Sequence, residues 1–144
     1  MKSYILIALA IIIFCVSSVV ASSPVYSVYL GTSIGKLTGT VTTSFCSGWY
    51  CYIHIDSDTT INICPSSKGS IVQSGKIKSV VCQSGFNIQT KTDANGVYNS
   101  YLSWGNYIVS TNITPPATAN VPSTIRVYLG QVTTFNITID SGSR

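Results

Sequence analysis

The stretch "TDANGVYNSYLSWGNYIVS", residues 92–110, decides how the rest of the chain is read. It holds three tyrosines, one tryptophan, two glycines and a single charge, Asp93. Aromatics at this density fit either a binding surface or the core-facing rows of strands. Asp93, Asn95 and Gly96 tolerate turn geometry, and Asn-Gly is a strong hairpin signal. Alternation restarts at Val97, with Tyr98 and Leu102 as its large apolar positions, and Trp104-Gly105-Asn106 supplies a second turn. Beyond it Tyr107, Val109 and Thr111 share one face while Ile108 takes the other, as a period of two requires. The expectation is strand, turn, strand, turn, strand: a β-meander whose aromatics pack into the core or line its rim. Trp104, at a turn, is a candidate for ligand contact. Trp49 is the second, since an aromatic face can stack against a carbohydrate.

Working outward, the same alternation recurs and helical periodicity is missing after residue 24. Strands are expected at 24–31, 35–44, 50–56, 59–64, 76–83, 86–92, 97–102, 106–113, 124–130 and 132–140. The segment 113–123, with its paired prolines, reads as a loop, because proline cannot donate to a ladder. Residues 65–75 read as a long loop or an excursion at the edge. Short, β-branched strands punctuated by Gly, Asn and Pro predict an all-β fold, a single antiparallel β-sandwich of about seven strands. "SVYLGTS" (27–33) resembles "RVYLGQV" (126–132); in a chain rich in Val, Tyr and Gly, chance is the favoured reading.

The chain opens with Met1-Lys2-Ser3 and an apolar run from Tyr4 to Ala21. Val19 and Ala21 place small residues at the minus-three and minus-one positions of a cleavage site, so 1–21 reads as a signal peptide. The alternative is an uncleaved membrane anchor through residues 4–21, since about 18 apolar residues just span a bilayer. A lipoprotein is disfavoured, because Cys15 follows the bulky Phe14. The domain plan is thus 1–21 as leader, 22–34 as an N-terminal strand segment, and 35–144 as the sandwich.

The exported chain keeps Cys46, Cys51, Cys64 and Cys82. An even count in a small exported domain argues for two disulfides rather than a zinc site, whose ligand spacing is absent. Three connectivities are open. Cys46–Cys51 with Cys64–Cys82 is the expected one, because Cys46 and Cys51 flank a turn with Gly48. Charge is scarce: 8% of residues, net +4, with the positives scattered. No basic stripe marks a nucleic-acid partner. Lys76 and Lys78 share one strand face, which reads as a protected edge.

Taken together, these residues carry a family resemblance. "TKTDANGVYNSYLSWGNYIVST" resembles the signature of carboxypeptidase regulatory-like (transthyretin- or prealbumin-like) domains, through Thr92, Asp93, Gly96, Tyr98, Leu102, Gly105, Tyr107 and Val109. "GKLTGTV" (35–41) is similar to the family's opening strand, and "IRVYLGQVTTFNITI" (125–139) to its closing pair. Where the family has a "Gly-Ala-x-Val" strand, this chain carries "FCSGWYCYIHIDSD" and an extension to Phe86. The resemblance implies a sandwich used for folding, stability or adhesion, and it implies no catalysis.

The catalytic inventory is thin. The only acids are Asp56, Asp58, Asp93 and Asp140, and the only histidine is His54. No nucleophile elbow is present, and Asp56 with Asp58 reads as a solvated pair rather than a glycosidase dyad. No enzyme activity and no cofactor are expected. Asp56, Asp58, Asp93 and Asn95 are calcium candidates as hard oxygen donors at strand ends. Asn112-Ile-Thr114 and Asn136-Ile-Thr138 are glycosylation sequons. The chain is read as a secreted or cell-surface structural or adhesive module. It would associate with itself or with other surface proteins, and one version is a filament subunit built by strand complementation. The alternative is a carbohydrate- or small-ligand-binding module displaying Trp49 and Trp104.

Overall fold

The computed structural model describes residues 34–75 and 77–142. The leader or anchor at 1–21, the strand at 24–31 with its repeat, and Lys76 lie outside the described residues. The described residues form twelve strands: β1 (Ile34–Ser47), β2 (Tyr50–Ile55), β3 (Thr60–Pro65), β4 (Gly69–Ser74), β5 (Ile77–Cys82), β6 (Ile88–Lys91), β7 (Val97–Ser103), β8 (Gly105–Thr111), β9 (Thr118–Ala119), β10 (Ser123–Val127), β11 (Val132–Thr134) and β12 (Ile137–Asp140). Among them no helix is long and apolar enough to cross a membrane.

β1 organises the first sheet. Its Gly35, Leu37, Gly39 and Val41 point inward and are buried, while Lys36, Thr38 and Thr40 alternate outward. On one side β1 pairs in parallel with β11 and then β12. On the other it pairs antiparallel with β7 along Ile34–Thr40 and with β2 along Thr42–Ser47. The short β9 extends β12. Gly39 is needed where it stands: a side-chain carbon there would collide with the Phe135 carbonyl oxygen and crowd the Tyr98 ring.

The second sheet runs β10-β8-β3-β6, antiparallel throughout. Between the sheets lie Leu37, Val41, Tyr98, Leu102 and Ile137 from one side, and Ile61, Ile63, Tyr107, Val109 and Val127 from the other. Each such side chain contributes about 1.5–3 kcal/mol through the water it sheds. The all-β sandwich expected from the alternation is present.

Three expectations change. First, residues 92–110 are not a meander. β6 and β8 belong to the second sheet and β7 to the first, so both turns cross the sandwich. Only Trp104 separates β7 from β8, whereas a tight hairpin needs two loop residues. β7 is instead paired with β1, where Gly39 stands opposite Tyr98, and β8 is paired with β3. Second, residues 65–75 are not all loop. β4 lies there and pairs along its length with β5 as a separate two-stranded sheet. Cys64–Cys82 ties this hairpin to β3, and Gly69 rests against Cys64 and Ile108. The hairpin therefore covers part of the second sheet's outer face, which is why the outward-pointing Ile108 and Cys64 are buried. Third, the strand count rises: β4 and β9 lie in segments that read as loop, and the single strand expected at 132–140 is two, β11 and β12.

Candidate functional site

The residues that carry the family resemblance serve the framework. The Asp93 carboxylate accepts from the backbone N–H groups of Asn95 (2.8 Å) and Val97 (2.9 Å), which fixes the turn that Gly96 completes at φ 69°. The Thr92 hydroxyl donates to the Asp56 carbonyl at 2.7 Å and accepts from Thr59 N–H at 2.8 Å. The Tyr98 hydroxyl donates to the Phe135 carbonyl, and the Tyr107 hydroxyl to the Ser103 carbonyl at 2.9 Å. Burial pushes both tyrosine pKa values up. Leu102 and Val109 are core.

The chemical candidates are also engaged. Asp56 accepts a short hydrogen bond from Thr43 Oγ1, so its carboxylate is directed to threonine rather than to His54. Asp58 pairs with Lys91 at 2.8 Å, both side chains largely exposed, an arrangement worth little in stability. With Asp93 committed to its turn, three of the four calcium candidates already answer to protein donors. Asn95 is exposed in that turn. Among the described residues no three His, Cys, Asp or Glu side chains gather around a common point.

What the surface does offer lies in three places. One is the arm made by the far half of β1 and by β2, closed by Cys46–Cys51. All six residues of β2 are exposed. The strand's inner face continues the core row into solvent, with Phe45 stacked on Tyr52 at 5.1 Å between ring centres. Trp49, at the tip, is 100% exposed; Tyr50, Tyr52, Ile53 and Ile55 are exposed with it. The outer edge of β2 has no ladder partner among the described strands.

The second place is the opposite end of β1. Val132, Lys36 and Tyr101 form one row across β11, β1 and β7. Lys36 Nζ sits 6.0 Å from the centre of the Tyr101 ring, and Arg126 lies 5.4 Å from that of Tyr128. Trp104 belongs to this end and is 62% exposed. Between it and Trp49 runs the whole of β1, roughly 43 Å at about 3.3 Å per residue. The two tryptophans therefore do not share one binding site.

The third place is a cleft of about 870 Å³ between β5, the outer face of the second sheet and the loop before β10. Its floor is Asn62 and Ser110, paired across β3 and β8. Gln89 and Asn87 donate to Asn62 Oδ1 at 2.8 and 3.3 Å. Asn112, of the first sequon, is exposed and lines the same cleft. Asn136, of the second, is exposed but accepts from Thr40 N–H at 3.0 Å, holding the step from β11 to β12 against β1. Sequence reading misses the cleft because its walls come from segments taken as loop and from a strand judged only by its lysines. The amides Asn62, Asn87 and Gln89, alternating with Ile61, Ile63 and Ile88, were the available signal.

No family model matches the chain, and no curated protein sequence matches it. Solved structures do. A minor pilin from the Gram-positive pathogen Streptococcus agalactiae aligns with a TM-score of 0.52 at 14% identity, over 78% of this chain and 46% of the pilin chain. This chain thus spans about half of that protein. A candidate carbohydrate-binding protein from Pseudomonas aeruginosa aligns with a TM-score of 0.48 at 15% identity, over 75% of this chain and 90% of the other. The first likeness supports the β-sandwich architecture; at this identity the comparison speaks to fold alone.

Proposed function

We propose that the protein is a non-enzymatic structural or adhesive module working outside the cell, either secreted after cleavage at Ala21 or held at the membrane by residues 4–21. We read its domain, 35–144, as resembling the carboxypeptidase regulatory-like sandwiches through Thr92, Asp93, Gly96 and Tyr98. Its work is cohesion with further copies or with other surface proteins, and the segment 22–34 supplies a strand for a neighbour. The observation that carries this reading is the arm. An exposed, apolar edge strand is the usual template for pairing with another chain; β2 has no outer partner among the described strands, and neither lysine nor proline to block it. Two disulfides suit an oxidising compartment. The pilin likeness is consistent with such a role. Sequons at Asn112 and Asn136 are proposed glycan sites.

The test is sedimentation velocity of the secreted chain, with and without residues 22–33. Loss of assembly on deletion is expected, and unchanged assembly rejects strand complementation. A second reading, carbohydrate binding, is favoured by the exposed Trp49 with Tyr50 and Tyr52 and by the amide-lined cleft. Silence of the folded protein on a glycan array counts against it.

A further inference from the structure

We infer that the cleft beside β5 is the acceptor groove of this assembly, and that it takes residues 24–31 of a second copy as an added strand along the free edge of β5. The inference rests on the cohesive reading above and names the surface that serves it.

Five residues of β5, Ile77, Lys78, Ser79, Val80 and Cys82, line the cleft, while none of its partner β4 does. Ile77 to Val80 are consecutive and so belong to both faces of the strand, which places the cleft along its edge. Among the described strands β5 pairs only with β4. In an antiparallel pair every second residue turns its N–H and C=O away from the partner. Those groups of β5 point into the cleft, and a hydrogen-bonding backbone is the partner they fit.

The geometry prefers this edge to that of β2. A strand added to β2 would lie exposed on both faces, since no described residue covers the arm. A strand added to β5 would rest on the floor of Asn62 and Ser110 and against the loop carrying Pro115 and Pro122. The two-stranded β4–β5 sheet also gains a third strand, the number at which a small sheet becomes stable in its own right.

The occupant is chosen by chemistry and by reach. The segment "PVYSVYLG" (24–31) alternates, with Tyr26, Val28 and Leu30 on one face, and carries no charge. The cleft is likewise lined by amides, hydroxyls and aliphatic groups, with Lys78 as its one charged residue among those described. The donor must come from another copy. Residues 24–33 span at most about 36 Å fully extended, and they join β1 where Ile34 meets Ser103. The cleft lies at the far end of β8, by Ser110 and Thr111, and on the outer face of the other sheet. Roughly 20 Å along β8 and about 10 Å across the sandwich consume nearly the whole segment before any pairing could begin.

A photo-crosslinking amino acid placed at Ser79 of the full secreted chain tests this, with the same probe at Ile55 as the β2 control. Copies with and without heavy isotopes are mixed before irradiation, so a link between copies carries both labels. Expected are links from Ser79 to residues 24–31 bearing mixed labels. Links from Ser79 to any other partner, links within one copy, or links to 24–31 from Ile55 alone overturn the assignment of β5. If those results come with assembly that deletion of residues 22–33 still abolishes, strand complementation survives and only the acceptor is wrong. Assembly untouched by the deletion overturns both.

Discussion

Removing the Cys64–Cys82 bridge as Cys64→Ala with Cys82→Ala releases the β4–β5 hairpin. The bridge closes a separation of 18 residues, and the loop-entropy relation assigns such a closure about 3 kcal/mol. For a domain of this size that is on the order of 12 °C in Tm, at about 4 °C per kcal/mol. Cys64 is buried, so its truncation adds a small packing loss. The effect should also be local. Two strands alone are marginal in water, and beyond the bridge the hairpin meets the sandwich chiefly where Gly69 rests on Cys64 and Ile108. Urea denaturation gives the global term, and native-state hydrogen exchange gives the local one. Amides of 69–74 and 77–82 should lose protection while those of β1, β3, β7 and β8 continue to report global unfolding. The control, Cys46→Ala with Cys51→Ala, opens a separation of only 5 residues, worth about 2 kcal/mol on the same relation, and should leave β4–β5 protection unchanged. If the hairpin keeps its protection without Cys64–Cys82, the bridge does not hold it on the sandwich and the reasoning fails.

Three further outcomes follow from individual contacts. Tyr98→Phe keeps the buried ring but leaves the Phe135 carbonyl without its donor, so urea titration should show a loss of about 1–1.5 kcal/mol. Because burial raises the folded-state pKa of Tyr98 above its ordinary value of 10.0, its contribution is complete below pH 10 and declines as pH rises beyond it. The slope approaches about 1.4 kcal/mol per pH unit, and Tyr98→Phe should make the alkaline limb shallower by one proton. Gly39→Ala should prevent recovery of folded protein, since the added carbon meets the Phe135 carbonyl oxygen; a normally folded variant by circular dichroism would refute the close approach of β1 to that loop. A glycan on Asn112, which lines the cleft, should exclude strand addition, so only secreted chains left unmodified at Asn112 should assemble: the fraction glycosylated there should sediment as monomer, and Asn112→Gln should restore its assembly.

Much of the fold was legible because alternation is a direct record of which side chains face a core. Leu37 and Val41, Ile61 and Ile63, Tyr107 and Val109 are read as inward rows and are buried. Which strands pair was not legible. Asn95-Gly96 and Trp104-Gly105 signal that the chain turns, but a turn within a sheet and a turn across the sandwich use the same residues. The difference is set by distant partners: Gly39 makes room for Tyr98 on one side, and Ile63 lies opposite Val109 on the other. The candidate surfaces divide likewise. Trp49 and Trp104 were visible as aromatics at turns, and both are exposed, but only the length of β1 separates them into two places. Lys76 and Lys78 mark β5 as an edge, but as a protected one; the cleft along it was hidden, since its other walls come from β3, β8 and the 113–122 loop, distant in sequence.

The central claim, cohesion through open strand edges, is tested most directly by hydrogen exchange on the assembled secreted chain against its dilute monomer. Amides of β5 should gain protection on assembly while the core strands, already protected, stay as they were. Assembly that leaves the exchange of β5 and β2 unchanged would contradict it.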